Sequence, residues 1–145
     1  MIAIIDLYSR FVVGWSLSNS MEAQWCKACL ESAIERYGKP EILNTDQGSQ
    51  FTSEIFTQFV LSQGIKLSMD GKGRATDNAF IERLWRSVKY EHVYLRPHED
   101  GKMLYDGLDE YFHTYNFKRR HQNIDDQFPA CLFLDRKEHE IAKVA

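Results

Sequence analysis

Residues 70–91, DGKGRATDNAFIERLWRSVKYE, constrain this chain more tightly than any other stretch. Gly71, Lys72, Gly73 and Arg74 form a flexible basic loop, because glycine enters turns that other residues resist. Asp77 or Asn78 then offers an N-cap oxygen, and the residues beyond predict a helix to about Tyr90. Ile81, Leu84, Trp85 and Val88 recur at i, i+3, i+4 and i+7, an apolar face that has to be buried against other elements. Glu82, Arg86 and Lys89 recur at i, i+4 and i+7 on a neighbouring face. One carboxylate beside two cations, next to a basic loop, suits a metal held close to a phosphate backbone. An ordinary solvated face with i,i+4 pairing has the same pattern, so the helix alone leaves both readings open.

A second stretch, residues 44–51 (NTDQGSQF), shifts the balance. The short run ahead of it predicts a strand over 41–45, ending at Asp46 and followed by a turn at Gly48. A carboxylate at a strand end is a common place to present a metal ligand. The rest of the chain alternates in the same manner. Residues 2–7 and 11–18 predict a hairpin, and 21–37 a helix stopped by Gly38-Lys39-Pro40. Ser53 caps a helix over 54–63, residues 65–69 predict a short strand, and 103–116 a helix with Leu104, Leu108, Tyr111, Phe112 and Tyr115 as its core stripe. Phe51, Phe56 and Phe59 read as core residues and not as base-stacking platforms.

Charge and cysteine usage narrow the function classes. A net charge of −3 is unlike a dedicated nucleic-acid binder, yet the cations cluster: Lys72, Arg74, Arg83, Arg86 and Lys89 in one region, Lys118, Arg119, Arg120 and His121 in another. The acids gather elsewhere, at 106–110 and 125–126. Three cysteines, an odd number, fit a reducing compartment. Trp25-Cys26-Lys27-Ala28-Cys29 imitates a redox motif but falls inside a predicted helix, where the dipole does not depress a thiol, so helix-face cysteines are expected. No apolar run approaches the ~20 residues a spanning helix needs, and the N-terminus has no charged leader region; a cytoplasmic protein without membrane contact is expected.

Together the two stretches resemble the integrase-core family: the DDE transposases of IS3-type insertion sequences and, more distantly, retroviral integrases. The resemblance is carried by residues 45–51 (TDQGSQF) and 73–83 (GRATDNAFIER), and by Lys89, seven positions beyond Glu82. Tyr115-Asn116 before the arginine-rich turn resembles the family's tail motif, whereas Phe128-Pro129-Ala130 departs slightly from its threonine-proline-alanine. The fold this implies is α/β, an RNase H-like integrase core with a mixed sheet flanked by helices over residues 1–135, and a polar C-terminal tail at 136–145. In that frame residues 2–18 match the family's second and third strands. The first, central strand and the first catalytic aspartate are then expected to be lacking, and the core incomplete at its N-terminus.

The resemblance implies Asp46 and Glu82 as catalytic and metal-ligating residues, in a family that uses two Mg²⁺ or Mn²⁺ ions; weak or absent metal binding is expected here. Lys72, Arg74, Arg83, Arg86, Lys89, Lys118, Arg119 and Arg120 are the expected DNA contacts. The implied reaction is DNA cleavage and strand transfer during transposition, with this chain alone expected to be inactive. Implied partners are DNA (transposon ends and target) and another copy or a full-length transposase, in the bacterial cytoplasm, at the nucleoid when on DNA. A non-catalytic DNA-binding or transposase-interacting fragment is the alternative. A third reading recruits Asp6 to a nuclease site; the competing expectation makes Asp6 a turn residue of the hairpin.

Overall fold

A computed structural model of the chain describes residues 1–69, 79–95 and 97–144. The β-branched run at its start forms β1 (Ile2–Ile5), which pairs with β2 (Val12–Ser16) in the expected hairpin, shorter at each end than its apolar pattern. Asp6 closes it. The Asp6 N–H donates to the Phe11 carbonyl and the Arg10 N–H to the Asp6 carbonyl, both at 2.8 Å. Asp6 Oδ2 accepts from the Ser9 N–H at 2.8 Å and the Ser9 hydroxyl at 2.6 Å, while Oδ1 lies 3.1 Å from Arg136 Nη2. Both carboxylate oxygens are thus committed to holding the turn, the role expected of a turn aspartate.

The described residues gather into two compact units: Met1–Ile4 with Val13–Glu82, and Ile5–Val12 with Arg83–Ala145. In the first, α1 (Ala23–Tyr37) ends at Gly38, whose left-handed φ of 81° and N–H to the Ile34 carbonyl (2.8 Å) satisfy the helix end. After it come β3 (Ile42–Thr45), the short α2 (Ser49–Thr52), α3 (Glu54–Ser62) and β4 (Lys66–Met69). Ser53 caps α3 as expected, its hydroxyl accepting from the Phe56 N–H. Strands β3 and β4 are parallel, with Thr45 opposite Met69 at their carboxyl ends. The core between helices and strands is built on Ile2, Cys26, Leu30, Phe56, Val60 and Ile65. Gly14 lets α1 approach β2: a Cβ there would stand 3.1 Å from the Ala33 Cβ. Cys26 and Cys29 are buried and free in the core of this unit, and burial raises both thiols, Cys29 to about 11. Among the described residues the strands form two ladders, β1–β2 and β3–β4, an α/β arrangement of small sheets flanked by helices.

The second unit takes the later residues of α4 (Ala79–Val88), a π-helical turn Lys89–Val93, α5 (Gly101–Phe117), a 3₁₀ turn Gln122–Ile124 and α6 (Pro129–Val144). Leu84 and Val88 of the predicted apolar stripe are buried in it. Helix α5 starts where Asp100 accepts from the Met103 N–H at 2.7 Å, earlier than the core stripe indicates. The π turn replaces the helix end expected near Tyr90. Its wider winding seats His92, 3% exposed, against α5 at Gly107, where a Cβ would lie 2.7 Å from the His92 Nε2. Residues 136–144 continue as helix α6. Phe11 anchors this unit, stacked on Phe133 at 4.6 Å and edge-on to Phe117 at 5.9 Å.

His121 gives the unit a pH dependence. Burial pushes its imidazole below the ordinary value, opposed by a 3.4 Å contact with the Tyr115 carbonyl and assisted by the Arg119 cation. The unfolded chain, titrating near ~6.5, then binds more protons than the folded one over this window. Its contribution is present above that value and is lost as pH falls through the lower folded value. The urea midpoint should therefore drop between pH 7 and pH 5, and His121→Gln should flatten that drop; an unchanged slope would remove His121 as its source.

Candidate functional site

Asp46 stands directly after β3, at the carboxyl end of the parallel pair, where loops of α/β structures present ligand-binding groups. It is exposed, and its Oδ1 accepts from the Gly48 N–H at 2.8 Å. A Cβ on residue 48 would come within 2.8 Å of that oxygen and 2.5 Å of the Gln50 Nε2. Gly48 therefore keeps the carboxylate's seat open as well as making the turn. Glu82 lies in the first turn of α4, exposed, and belongs to the same compact unit as Asp46. An acidic side chain is stabilised there by the helix N-terminus.

Both carboxylates are hard oxygen donors open to solvent, a donor set that fits a Mg²⁺ ion keeping most of its water. The Gly48 bond uses only one of the two Asp46 oxygens. No group of three or more His, Cys, Asp or Glu placed to hold a metal occurs among the described residues. Asp6 is held in the hairpin turn by Ser9 and Arg136.

The expected cations fall into three sets. Lys72 and Arg74 lie outside the described residues. Arg83, Arg86 and Lys89 are exposed along α4 and the start of the π turn. The third set follows α5. Lys118 and Arg120 are exposed, whereas Arg119 forms a two-pronged ion pair with Glu91, its Nη2 3.0 Å from Oε1 and its Nη1 on Oε2. The Tyr111 hydroxyl donates to the same Oε2 at 3.2 Å. That Glu91 hydrogen bond raises Arg119 above its ordinary value; burial, with the Glu91 charge, raises the Tyr111 hydroxyl. With both partners about 40% exposed, the pair fixes the turn's position more than it stabilises the fold. Arg120 donates to the Asp126 carbonyl at 3.0 Å and lies 4.9 Å from the Phe128 ring centre.

Two participants were not legible in the sequence. Glu91 reads there as one more surface acid, because its partner lies 28 residues on. Asn116, noted only within a family-like motif, spans 104 residues to reach both backbone groups of Val12. Gly48 did carry a signal, a glycine two positions after a carboxylate.

Comparison with known proteins gives the chain relatives. An integrase core domain family matches residues 1–75, and a second integrase core domain description matches residues 63–129. The transposase for insertion sequence element IS904 of Lactococcus lactis is 34% identical over 128 residues, covering 86% of this chain and 51% of that protein. Transposase InsF for insertion sequence IS3A of Escherichia coli is 33% identical over 121 residues, covering 81% and 42%. The chain thus spans about half the length of these relatives. Among solved structures, the BIV integrase catalytic core superposes with a TM-score of 0.78 at 18% identity, over 96% of this chain and 88% of that one. The HTLV-2 integrase catalytic core in complex with magnesium, a dimeric form, gives 0.66 at 22%, over 86% and 77%. At such identities these two share the fold.

Proposed function

The chain belongs to the integrase core family, and from that premise we propose that it is a DNA-handling core of an insertion-sequence transposase. The observation that carries this reading is Asp46, seated by Gly48 at the carboxyl end of the β3–β4 pair in the same unit as Glu82. Asp46 and Glu82 would hold Mg²⁺ or Mn²⁺, which when bound supplies charge to polarise a phosphate oxygen and to activate an attacking hydroxyl. Arg83, Arg86 and Lys89, with Lys72 and Arg74 before them, neutralise backbone phosphates; Lys118 and Arg120 grip DNA from the turn that Arg119 braces against Glu91.

Residues 1–145 by themselves bind DNA without cutting it at a useful rate. The support is Asp6, whose oxygens are occupied in the hairpin turn, and the lack among the described residues of a group of three carboxylates placed to hold a metal, where a two-metal site draws on more than two. A second copy or a longer transposase would supply a further carboxylate, with the assembly working on DNA in the bacterial cytoplasm. No helix among the described residues is long and apolar enough to cross a membrane.

The test pairs two measurements on the 145-residue chain. Binding to a transposon-end duplex should weaken steeply with salt, by about one logarithmic unit per decade of salt for each phosphate neutralised. Mn²⁺-dependent nicking of the same duplex should not exceed that of Glu82→Gln. Nicking that disappears in Glu82→Gln would sink the claim of inactivity, and salt-insensitive binding would sink the phosphate contacts.

A further inference from the structure

Past α4 the backbone widens into the π turn, closed by the Tyr94 N–H donating to the Lys89 carbonyl at 2.9 Å. Inserted π turns concentrate at functional sites, because they re-aim side chains that a regular helix would place elsewhere. Here the widening turns His92 inward, to 3% exposure, and leaves Tyr90 and Tyr94 outward at 63% and 65%. Their rings meet edge to face, 5.4 Å between centres at 87°, so each steadies the other while most of both rings stays in water. Leu95 follows at 71% exposure. A single exposed tyrosine needs no explanation, but a mutually ordered pair continuing into an exposed leucine is an apolar patch.

Its neighbours indicate the occupant. Arg86, Tyr90 and Tyr94 are spaced four apart, and the wider π turn offsets the sideways drift that this spacing has on an α-helix. Lys89, also exposed, stands beside them. Two cations leading into two open aromatic rings is the pattern that binds unpaired nucleotides, phosphates on the cations and base faces on the rings. A duplex cannot use the rings, since its base faces are covered by their stacked neighbours. We propose, resting on the DNA-handling reading above, that Tyr90 and Tyr94 form a stacking platform for unpaired nucleotides, with Arg86 and Lys89 holding the adjoining phosphates.

The experiment measures anisotropy of a labelled 15-nucleotide dT strand and of a blunt duplex of equal length, against the 145-residue chain at several salt concentrations. The wild-type chain should bind both. Tyr90→Ala and Tyr94→Ala should each weaken the single strand about 5- to 100-fold and leave its salt slope and the duplex affinity unchanged. Tyr90→Phe and Tyr94→Phe should retain single-strand binding, because stacking uses the ring and not the hydroxyl. Lys89→Gln should weaken both and flatten the salt slope by about one contact. Equal losses on duplex and single strand, or Phe variants as weak as Ala, would overturn the platform. So would alanine variants that change only the particle mass by light scattering, which would mean that a second copy covers the patch. If the wild-type chain binds neither DNA, the DNA-handling reading falls with the platform; salt-dependent duplex binding with single-strand binding indifferent to Tyr→Ala removes the platform alone.

Discussion

Asn116→Ala is expected to lower stability by about 2–6 kcal/mol, because it strips partners from two buried backbone groups at once. The Asn116 Oδ1 accepts from the Val12 N–H at 2.9 Å and its Nδ2 donates to the Val12 carbonyl at 3.0 Å. The amide thereby stands in for a strand residue on the outer edge of β2, where Val12 is 4% exposed and Asn116 6%. Water cannot easily replace it there, and each abandoned group costs about 1–3 kcal/mol. For a chain of this length that amounts to roughly 5–20 °C in the melting midpoint. Asn116→Asp sets a buried carboxylate oxygen against the Val12 carbonyl in place of the donor, so at neutral pH it should cost at least as much as alanine. Exchange of the Val12 amide hydrogen should accelerate in Asn116→Ala ahead of global unfolding. The exposed Asn123→Ala serves as control and should stay within about 0.5 kcal/mol of wild type. A midpoint for Asn116→Ala indistinguishable from that control would show that Val12 finds other partners.

Phe11→Ala should cost about 3–5 kcal/mol, the range for emptying a buried aromatic site. Phe11 is 1% exposed and is held between Phe133 of α6 and Phe117 of α5. Removing the ring loses its own transfer energy and leaves a void bounded by two rings on separate helices, which cannot both relax into it. Phe133→Ala should be similarly costly, and the double variant less costly than the sum of the singles, since one contact is being removed twice. Strict additivity in denaturant midpoints would contradict the stacking. Phe11→Leu should recover much of the loss. The same unit holds the Asp6–Arg136 pair, which joins the hairpin turn to α6 a second time, across 130 residues of chain.

These two variants also mark where sequence reasoning reached and where it stopped. The stripe Ile81, Leu84, Trp85 and Val88, the Ser53 cap, the Gly38 stop and Asp46 after β3 were all legible, because each signal depends on residues within a turn or two of one another. Asp6 offered two uses for one carboxylate, and only the tertiary structure brings it against Arg136, 130 residues on, as well as Ser9. Helix α6 was missed because its last turns are polar, and a polar stretch becomes helical only when its preceding turns are packed, as Phe133 is against Phe11. The π turn was missed because no residue in KYEHV announces it; it exists where Gly107 leaves room for His92 and where Glu91 meets Arg119.

The order of elements, the carboxylate at the strand end and the second carboxylate on an amphipathic helix were determined by the amino-acid sequence, since propensity, capping and hydrophobic period act locally. Which arginine is braced and which are open to solvent, which amide completes the edge of β2, and which tyrosines are turned to water were decided by packing between segments 15 to 130 residues apart. Those choices depend on distance in space, where a hydrogen bond or a filled gap is won or lost over an ångström, and a one-dimensional pattern holds no measure of that distance.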